Sequence, residues 1–313
     1  MSAHRFAVLL KSYADDLAYA ERLLASFLRF RSAPIPMYIV VPEASVPAFR
    51  GLPGADAEGI TVLPESLLAQ HLVAEPVHGL RPGYINQEIV KLAFWELGLA
   101  ENYFCVDSEA EFIRPFSVKD FMVSETEPYS VLVQDLDLHA DPTYFHQYWT
   151  SREGEIQRIA DLIGWTDPVI RTCHGHTVFS RIVLESFRDD FLAARGWAYR
   201  DALAESPYEF SWYSLWLQKS KVIPIHAREP WIRVFHTEEE YLTAVGRGLS
   251  RENLARAYLG VLVNANFSRD VGLLDADLGK SAIVARSLSY QELLDVVQRK
   301  VTASARRLLR RGT

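Results

Sequence analysis

Two carboxylates stand at the end of an apolar run in this chain. Residues 103–107 read Tyr-Phe-Cys-Val-Asp, and Ser108 and Glu109 follow directly. A short buried strand has this pattern when its end carries a polar site. On an ideal strand, residues two positions apart share a face but lie roughly 7 Å from each other, which is too far for both to bind one metal ion directly.

A turn after Asp107 would change that geometry. The oxygens of Asp107 and Glu109 could then converge on one divalent cation, because Mg²⁺ and Mn²⁺ prefer carboxylate, water and phosphate oxygens. The pattern therefore indicates a metal site that also binds a diphosphate. The alternative interpretation is a surface turn with two solvated acids.

The composition is that of an ordinary globular protein. The chain has 313 residues, of which 49% are apolar, so it can form one large domain or two smaller ones. Its net charge of −7 argues against a nucleic-acid partner. The only cysteines, Cys105 and Cys173, cannot build a zinc cluster and favour a reduced, intracellular protein. We expect neither a secretory signal nor a membrane span, which needs roughly 20 apolar residues.

Strand-like and helix-like segments alternate in the first 116 residues. Strands are predicted at residues 6–10, 37–41, 60–63 and 103–107, and helices at residues 17–28 and 84–97, with Gly98 at a helix end. This alternation predicts a largely parallel sheet covered on both faces. Ligands bind at the carboxyl ends of such strands, where Lys11, Ser12 and Tyr13 follow the first strand.

The second half of the chain is less regular. A strand is predicted at residues 130–134, helices at residues 145–163 and 178–187, and short strands at residues 222–226 and 231–235. The spacing of Ser289 and Glu292 is that of a capping box, which predicts a last helix.

These segments, in this order, resemble the GT-A fold of nucleotide-sugar glycosyltransferases. Residues 6–13 with Asp15 and Asp16 resemble the first strand and its nucleotide-contacting turn, and residues 38–42 resemble the second strand. Residues 87–92 resemble the helix before the metal motif. Asp107-Ser108-Glu109 resembles the DXD signature with Glu in the last place, and residues 112–116 (Phe-Ile-Arg-Pro-Phe) resemble its tail. The resemblance covers roughly residues 5–240 and extends to a bacterial branch found in surface-polysaccharide settings.

The resemblance implies a fold and a function. The expected fold is α/β, with a GT-A-like, Rossmann-type, mixed but mostly parallel sheet, helices on both faces and a helical C-terminal extension. The expected domain spans residues 1–245, with a nucleotide-binding half (1–116) and an acceptor half (117–245), and the extension spans residues 246–313. The implied partners are a nucleotide-sugar donor and a glycan acceptor, and the implied location is cytoplasmic.

The resemblance also assigns roles to residues. Asp107 and Glu109 are expected to bind Mn²⁺ or Mg²⁺, which would offset charge on the departing diphosphate, and Asp107 is also expected to contact the ribose or a water. His236 is the expected late metal or diphosphate ligand and His226 its rival, although each could be a structural residue. Contacts to the nucleotide sugar are expected from Lys11, Ser12, Tyr13, Asp15, Gln87, Lys91, Asp107 and Ser108. The two lysines could instead be solvated, and Tyr13 could be a packing residue.

An inverting sugar transfer needs a base that takes the proton of the acceptor hydroxyl. Glu209 is the predicted base, because it has aromatic neighbours in the sequence, namely Tyr208, Phe210, Trp212 and Tyr213. Aromatic rings bind sugar faces, and burial can raise the pKa of a carboxylate towards neutrality. The alternatives are a helix-terminal Glu that interacts with the helix dipole, or a residue that orients the acceptor of a retaining enzyme.

Three other features have plainer interpretations. His174-Gly175-His176 is expected to form a loop that shapes the acceptor pocket, and Asp135, Asp137 and His139 to lie on a solvated strand edge. A basic end on the last helix is expected to be solvated, or to make weak peripheral contact with an anionic membrane; it comprises Arg299, Lys300, Arg306, Arg307, Arg310 and Arg311. Two rival functions stay open: a non-catalytic nucleotide-sugar or carbohydrate-binding protein, and a metal-dependent phosphoesterase.

Overall fold

The computed structural model describes residues 3–134, 139–140, 145–166, 175–264, 271, 273–274, 294 and 298. The predictions for Asp135, Asp137, Cys173 and His174 lie outside the described residues. The same holds for the capping box at residues 289–292 and for the basic end at residues 299–311.

The described strands form three sheets. The strands are β1 (Ala7–Lys11), β2 (Met37–Val41), β3 (Ile60–Pro64), β4 (Asn102–Val106), β5 (Glu111–Phe112), β6 (Tyr129–Val131), β7 (Val178–Ser180), β8 (His226–Arg228), β9 (Ile232–Phe235) and β10 (Gly260–Val263). The largest sheet has the order β3-β2-β1-β4-β7, in which the first four strands are parallel and β7 is antiparallel to β4. The second sheet has the order β5-β10-β9, and β6 pairs with β8.

The helices lie between and beyond these strands. They are α1 (Leu17–Phe30), α2 (Val46–Arg50), α3 (Pro82–Ala93), α4 (Thr150–Ile163), α5 (Arg181–Ser186), α6 (Ala193–Arg195), α7 (Tyr199–Glu205), α8 (Glu209–Ser220), α9 (Glu238–Gly246) and α10 (Arg251–Ala255). Two π-helical segments, Phe145–Trp149 and Phe187–Leu192, adjoin α4 and α5. None of the helices in the described residues is long and apolar enough to cross a membrane.

Both faces of the large sheet are covered because the residues of β1 alternate between two cores. Ala7 and Leu9 pack in the core that contains Ile85 and Ile89 of α3. Val8 and Leu10 pack in the opposite core, which contains Leu23 and Phe27 of α1. Successive side chains of a strand point to opposite faces, so an uninterrupted apolar strand requires a helix on each side. The prediction of an α/β fold with a mostly parallel sheet and helices on both faces is confirmed.

Two predicted elements are wrong in part. Residues 178–187 were expected to be one helix, but β7 occupies their start because Phe179 pairs with Tyr103 of β4, and the helix begins at Arg181. Residues 222–226 were expected to be a strand, but β8 begins only at His226. Pro224 has no backbone N–H to donate to a ladder, so pairing with β6 starts after it.

The region after residue 245 contains a strand as well as a helix. α10 is followed by β10, which pairs antiparallel with β5 and parallel with β9. Gly260 permits the close approach of β5, since a Cβ at this position would lie 2.9 Å from the Glu111 carbonyl oxygen. The predicted boundary at residue 245 therefore does not coincide with a boundary of this sheet.

Candidate functional site

A cleft of about 480 Å³ opens at the carboxyl ends of β1 and β4. It is lined by predicted site residues, namely Lys11, Tyr13, Asp15, Gln87, Asp107, Ser108 and Glu109. Asp16, from the turn that resembles a nucleotide-contacting turn, also lines it, and so do residues that no sequence pattern indicated, among them Glu65, Arg81, Tyr84 and Asn264. The volume lies within the range of small-molecule sites.

The pairing of β1 with β4 brings the two polar segments together. The strands are parallel, and Leu10 pairs with Val106, so Lys11 and Asp107 leave the sheet at one edge. Beyond the strands, the hydroxyl oxygens of Ser12 and Ser108 lie 2.8 Å apart in a buried hydrogen bond. This bond fixes the two turns relative to each other, and with them the floor of the cleft.

Lys11 is neutralised within the protein. Its Nζ lies 2.9 Å from Glu65 Oε2 and donates a hydrogen bond of 3.0 Å to the Ser12 carbonyl. Burial lowers the pKa of Lys11, and the Glu65 carboxylate opposes that shift. The ammonium group is therefore held against the wall of the cleft by Glu65.

Lys91 lies beneath the cleft among three carboxylates. Its Nζ is 3.0 Å from Glu209 Oε1, 3.4 Å from Glu88 Oε2 and 3.4 Å from Asp107 Oδ1. Lys91 is 6% exposed, so burial alone would lower its pKa. The three carboxylates outweigh burial and hold the pKa of Lys91 well above its usual value, so the ammonium stays charged.

Asp107 is held from two sides. Lys91 contacts Oδ1, and His176 Nε2 lies 3.3 Å from Oδ2. Burial alone would raise the pKa of Asp107, but the Lys91 charge and the His176 contact outweigh it and hold this pKa well below its usual range. Because 33% of the Asp107 side chain is exposed, a fixed and ionised carboxylate faces the cleft.

Glu88 and Glu209 form a buried acidic pair under Lys91. Burial and the neighbouring Glu209 carboxylate raise the pKa of Glu88 well above that of a solvated glutamate. Glu209 is 2% exposed and is the first residue of α8. Within the described part of the chain it contacts Lys91 and does not line the cleft.

The two predicted late histidines differ in their surroundings. His226 Nε2 lies 2.8 Å from Glu127 Oε2 beside the β6–β8 pair, which favours the structural interpretation. His236 follows β9, and its backbone N–H donates to Glu240. Asn264 follows β10, the strand that pairs with β9, and it lines the cleft. Its backbone N–H donates to the Phe235 carbonyl. His236 thus lies one strand away from the described lining.

The described residues offer oxygen ligands for a divalent cation but not a complete set. Asp107 and Glu109 both line the cleft, and both oxygens of Asp107 already have contacts. Among the described residues, no three His, Cys, Asp or Glu side chains are grouped to hold a metal ion. This donor set fits a hard cation whose other ligands are diphosphate oxygens and water.

Glu88 and Arg81 belong to this region but were not predicted from the sequence, and neither was the contact between His176 and Asp107. Glu88 carried a signal, because it lies three residues after Ile85 and three before Lys91, on the inward side of the predicted helix. His176 was assigned to the acceptor pocket as part of a loop, whereas its ring contacts Asp107. Arg81 precedes the predicted helix and had no distinguishing pattern.

A family model matches residues 7–240, which include the cleft residues up to Glu109 and the whole Lys91 cluster. The chain belongs to DUF6492, a family of unknown function. Leu262 and Asn264, which close one side of the cleft, lie beyond the part that defines DUF6492. A search of curated proteins finds no match to this chain.

Two solved structures are similar to this DUF6492 chain. One is mouse xyloside xylosyltransferase 1 in its apo form, with 12% identity and a TM-score of 0.45 over 85% of this chain and 99% of that one. The other is the apo WbbM bifunctional glycosyltransferase, with 12% identity and a TM-score of 0.48 over 83% of this chain and 45% of that one. Both TM-scores are below 0.5, so neither similarity establishes the activity of this chain.

Proposed function

We propose that this protein is a glycosyltransferase that moves a sugar from a nucleotide-sugar donor to a hydroxyl group of a glycan. The observation that carries the proposal is the cleft in which Asp107, Ser108 and Glu109 meet the turn after β1. Parallel α/β sheets bind ligands at this edge, and the sequence of the turn resembles the DXD signature of GT-A enzymes. The glycan is proposed to be a bacterial surface polysaccharide made at the cytoplasmic side of the membrane.

The donor occupies the cleft with its nucleoside towards the turn after β1. Tyr13 and Asp15 line this end and are suited to stack on the base and to accept hydrogen bonds from the ribose. Gln87 lines the same cleft from α3 and offers an amide donor and acceptor to a sugar hydroxyl. Ser12 is buried, so its role is to fix Ser108 rather than to bind the donor.

We propose that Glu109 and Asp107 would hold Mn²⁺ or Mg²⁺ in the cleft. A divalent ion there offsets the charge that develops on the departing diphosphate. Asp107 is kept ionised and oriented by Lys91 and His176. His236 remains a proposed late ligand.

Lys91 and Glu209 are proposed to act through Asp107. A general base must reach the acceptor hydroxyl directly or through one water, and a 2% exposed Glu209 bound to Lys91 is better suited to hold the lysine in place. Glu209 is therefore a positioning residue in this proposal. The alternative is the predicted role as general base, and kinetics of Glu209→Gln distinguish the two roles.

A thermal-shift panel of nucleotide sugars, with and without Mn²⁺, tests the proposal. We expect one donor class to raise the melting temperature, more strongly with Mn²⁺, because a ligand that binds only the folded state stabilises it. The stabilising donor should also be hydrolysed slowly. Binding without hydrolysis or transfer would favour a binding protein, and cleavage of simple phosphate esters would favour the phosphoesterase.

A further inference from the structure

We propose that Arg81 binds the diphosphate of the donor, a role that rests on the proposed function of the cleft. The need for such a residue follows from charge. Among the described residues, five carboxylates line the cleft, those of Asp15, Asp16, Glu65, Asp107 and Glu109, against two cations, Lys11 and Arg81. A nucleoside diphosphate is itself anionic, so the protein must supply positive charge close to the phosphates.

The lysines near the cleft do not meet this need. Lys11 is 5% exposed and bound to Glu65. Lys91 is enclosed by Glu88, Glu209 and Asp107 and lies below the lining. Withdrawing Lys91 to bind a phosphate would leave the buried Glu88 and Glu209 without a counter-ion, and withdrawing Lys11 would leave the half-buried Glu65 without one. Both losses are costly.

Arg81 is placed differently. It lies on the rim of the cleft with Gly83 and Tyr84, and its side chain is exposed. Its backbone carbonyl accepts bonds from the first turn of α3, while among the described residues its guanidinium has no carboxylate partner. A guanidinium offers several N–H donors in one plane, which matches the oxygens of a phosphate.

Binding of inorganic pyrophosphate, UDP, GDP, ADP and dTDP to the full chain tests this role by calorimetry. The variants are Arg81→Gln, Arg81→Lys and a control, Arg50→Gln, which removes an exposed arginine outside the cleft lining. We expect Arg81→Gln to weaken binding of pyrophosphate and of the best nucleoside diphosphate by about 10- to 100-fold, since hydrogen bonds to charged groups are the stronger kind. Arg81→Lys should recover part of the affinity, and Arg50→Gln should match the wild type.

The corresponding nucleoside without phosphates separates a phosphate contact from a damaged cleft. Its affinity should be the same in the wild type and in Arg81→Gln. Three outcomes would each overturn the role of Arg81. Arg81→Gln could lose as much affinity for the nucleoside as for the diphosphate, or it could bind the diphosphate within about twofold of the wild type. The third outcome is a wild type that does not bind pyrophosphate. Sugar transfer by the wild type would leave the proposed function standing in those cases. Conversely, Arg81-dependent pyrophosphate binding without transfer from any donor would retain the anion site and refute the glycosyltransferase.

Discussion

At the scale of single residues, the central feature is an ammonium group surrounded by acids from three elements. Glu88 lies on the same helix as Lys91, Asp107 follows β4, and Glu209 begins α8. Each charge is buried or half-buried, so each depends on the others for compensation. The cluster consequently links the stability of the core to the orientation of Asp107, the member of the cluster that lines the cleft.

Removing the lysine should be strongly destabilising. Lys91→Met leaves Asp107 and Glu209 without their shared counter-ion, and breaking a buried ion pair typically costs about 3–5 kcal/mol. Urea unfolding measures the loss, and Lys119→Met, at an exposed lysine, should change the unfolding free energy by less than about 0.5 kcal/mol. Adding Glu209→Gln to Lys91→Met should recover part of the loss, because the two residues are coupled. Equal small effects of Lys91→Met and Lys119→Met would contradict the cluster.

Glu209→Gln separates the positioning role from the general-base role. If Glu209 holds Lys91 and Asp107 in place, the donor KM rises and kcat falls by less than about tenfold. If it is the base, kcat falls about 10²–10⁴-fold while donor affinity is unchanged. Steady-state kinetics with saturating acceptor distinguish the two outcomes, and we expect the first.

The depressed pKa of Asp107 gives stability a defined pH dependence. A carboxylate whose pKa is lower in the folded state stabilises the protein above its unfolded pKa, about 3.9, and loses this contribution as the pH falls towards the folded value. The difference in unfolding free energy between wild type and Asp107→Asn should therefore be constant from about pH 7 to pH 5 and shrink below about pH 4. A difference that does not change with pH would mean that Lys91 and His176 do not depress the pKa of Asp107.

At the scale of elements, the site depends on two parallel strands that end at the same level. The Ser12–Ser108 hydrogen bond joins the turns that follow them. Ser12→Ala leaves the buried Ser108 hydroxyl without this partner and should cost about 1–3 kcal/mol. The double variant Ser12→Ala/Ser108→Ala should cost less than the sum of the single variants, as measured by urea unfolding. Strictly additive losses would argue that the bond does not join the turns.

The elements also show what a sequence can and cannot predict. Strands β1 to β4 were found because each is an apolar run closed by Pro or a polar residue, and α3 because Ile85, Ile89 and Leu92 keep a helical spacing to a left-handed Gly98. Residues 178–180 were misassigned because apolar residues before a helix carry no sign of a distant partner such as Tyr103.

The same limit applies to the site. Asp107 and Glu109 were recognisable because acids directly follow a buried strand. The enclosure of Lys91 by carboxylates could not be recognised from the sequence, since Glu209 is 118 residues away in the chain.

At the scale of the whole molecule, parts distant in sequence complete the cleft. Tyr13 comes from the first turn, Arg81 from the residue before α3, Gln87 from the middle of α3, and Asn264 from beyond β10. Because β10 pairs with β5 and β9, a chain cut at residue 245 would lose one wall of the cleft. The cleft therefore needs the segment that contains β10 and Asn264 in addition to the residues up to Glu109.

The basic C-terminal end gives a prediction about membranes. Removal of residues 299–313 takes away the positive charges of Arg299, Lys300, Arg306, Arg307, Arg310 and Arg311. Transfer in solution should be unchanged, and any binding to anionic liposomes should be weak, fall with salt and disappear in the truncated chain. Tight liposome binding that resists salt would contradict an electrostatic contact.

The most direct test of the account is release of nucleoside diphosphate from a panel of nucleotide sugars, with Mn²⁺ and an oligosaccharide acceptor mixture, followed by mass spectrometry. We expect the wild type to release the diphosphate from one donor and to add its sugar to an acceptor. Glu109→Ala should lose this reaction and the Mn²⁺-dependent part of donor binding. Glu109 is half-buried on the wall of the cleft and outside the core, so the variant should nevertheless unfold within about 1 kcal/mol of the wild type. Equal turnover and equal Mn²⁺-dependent affinity in Glu109→Ala, or no turnover of any donor by the wild type, would contradict a metal-assisted glycosyltransferase.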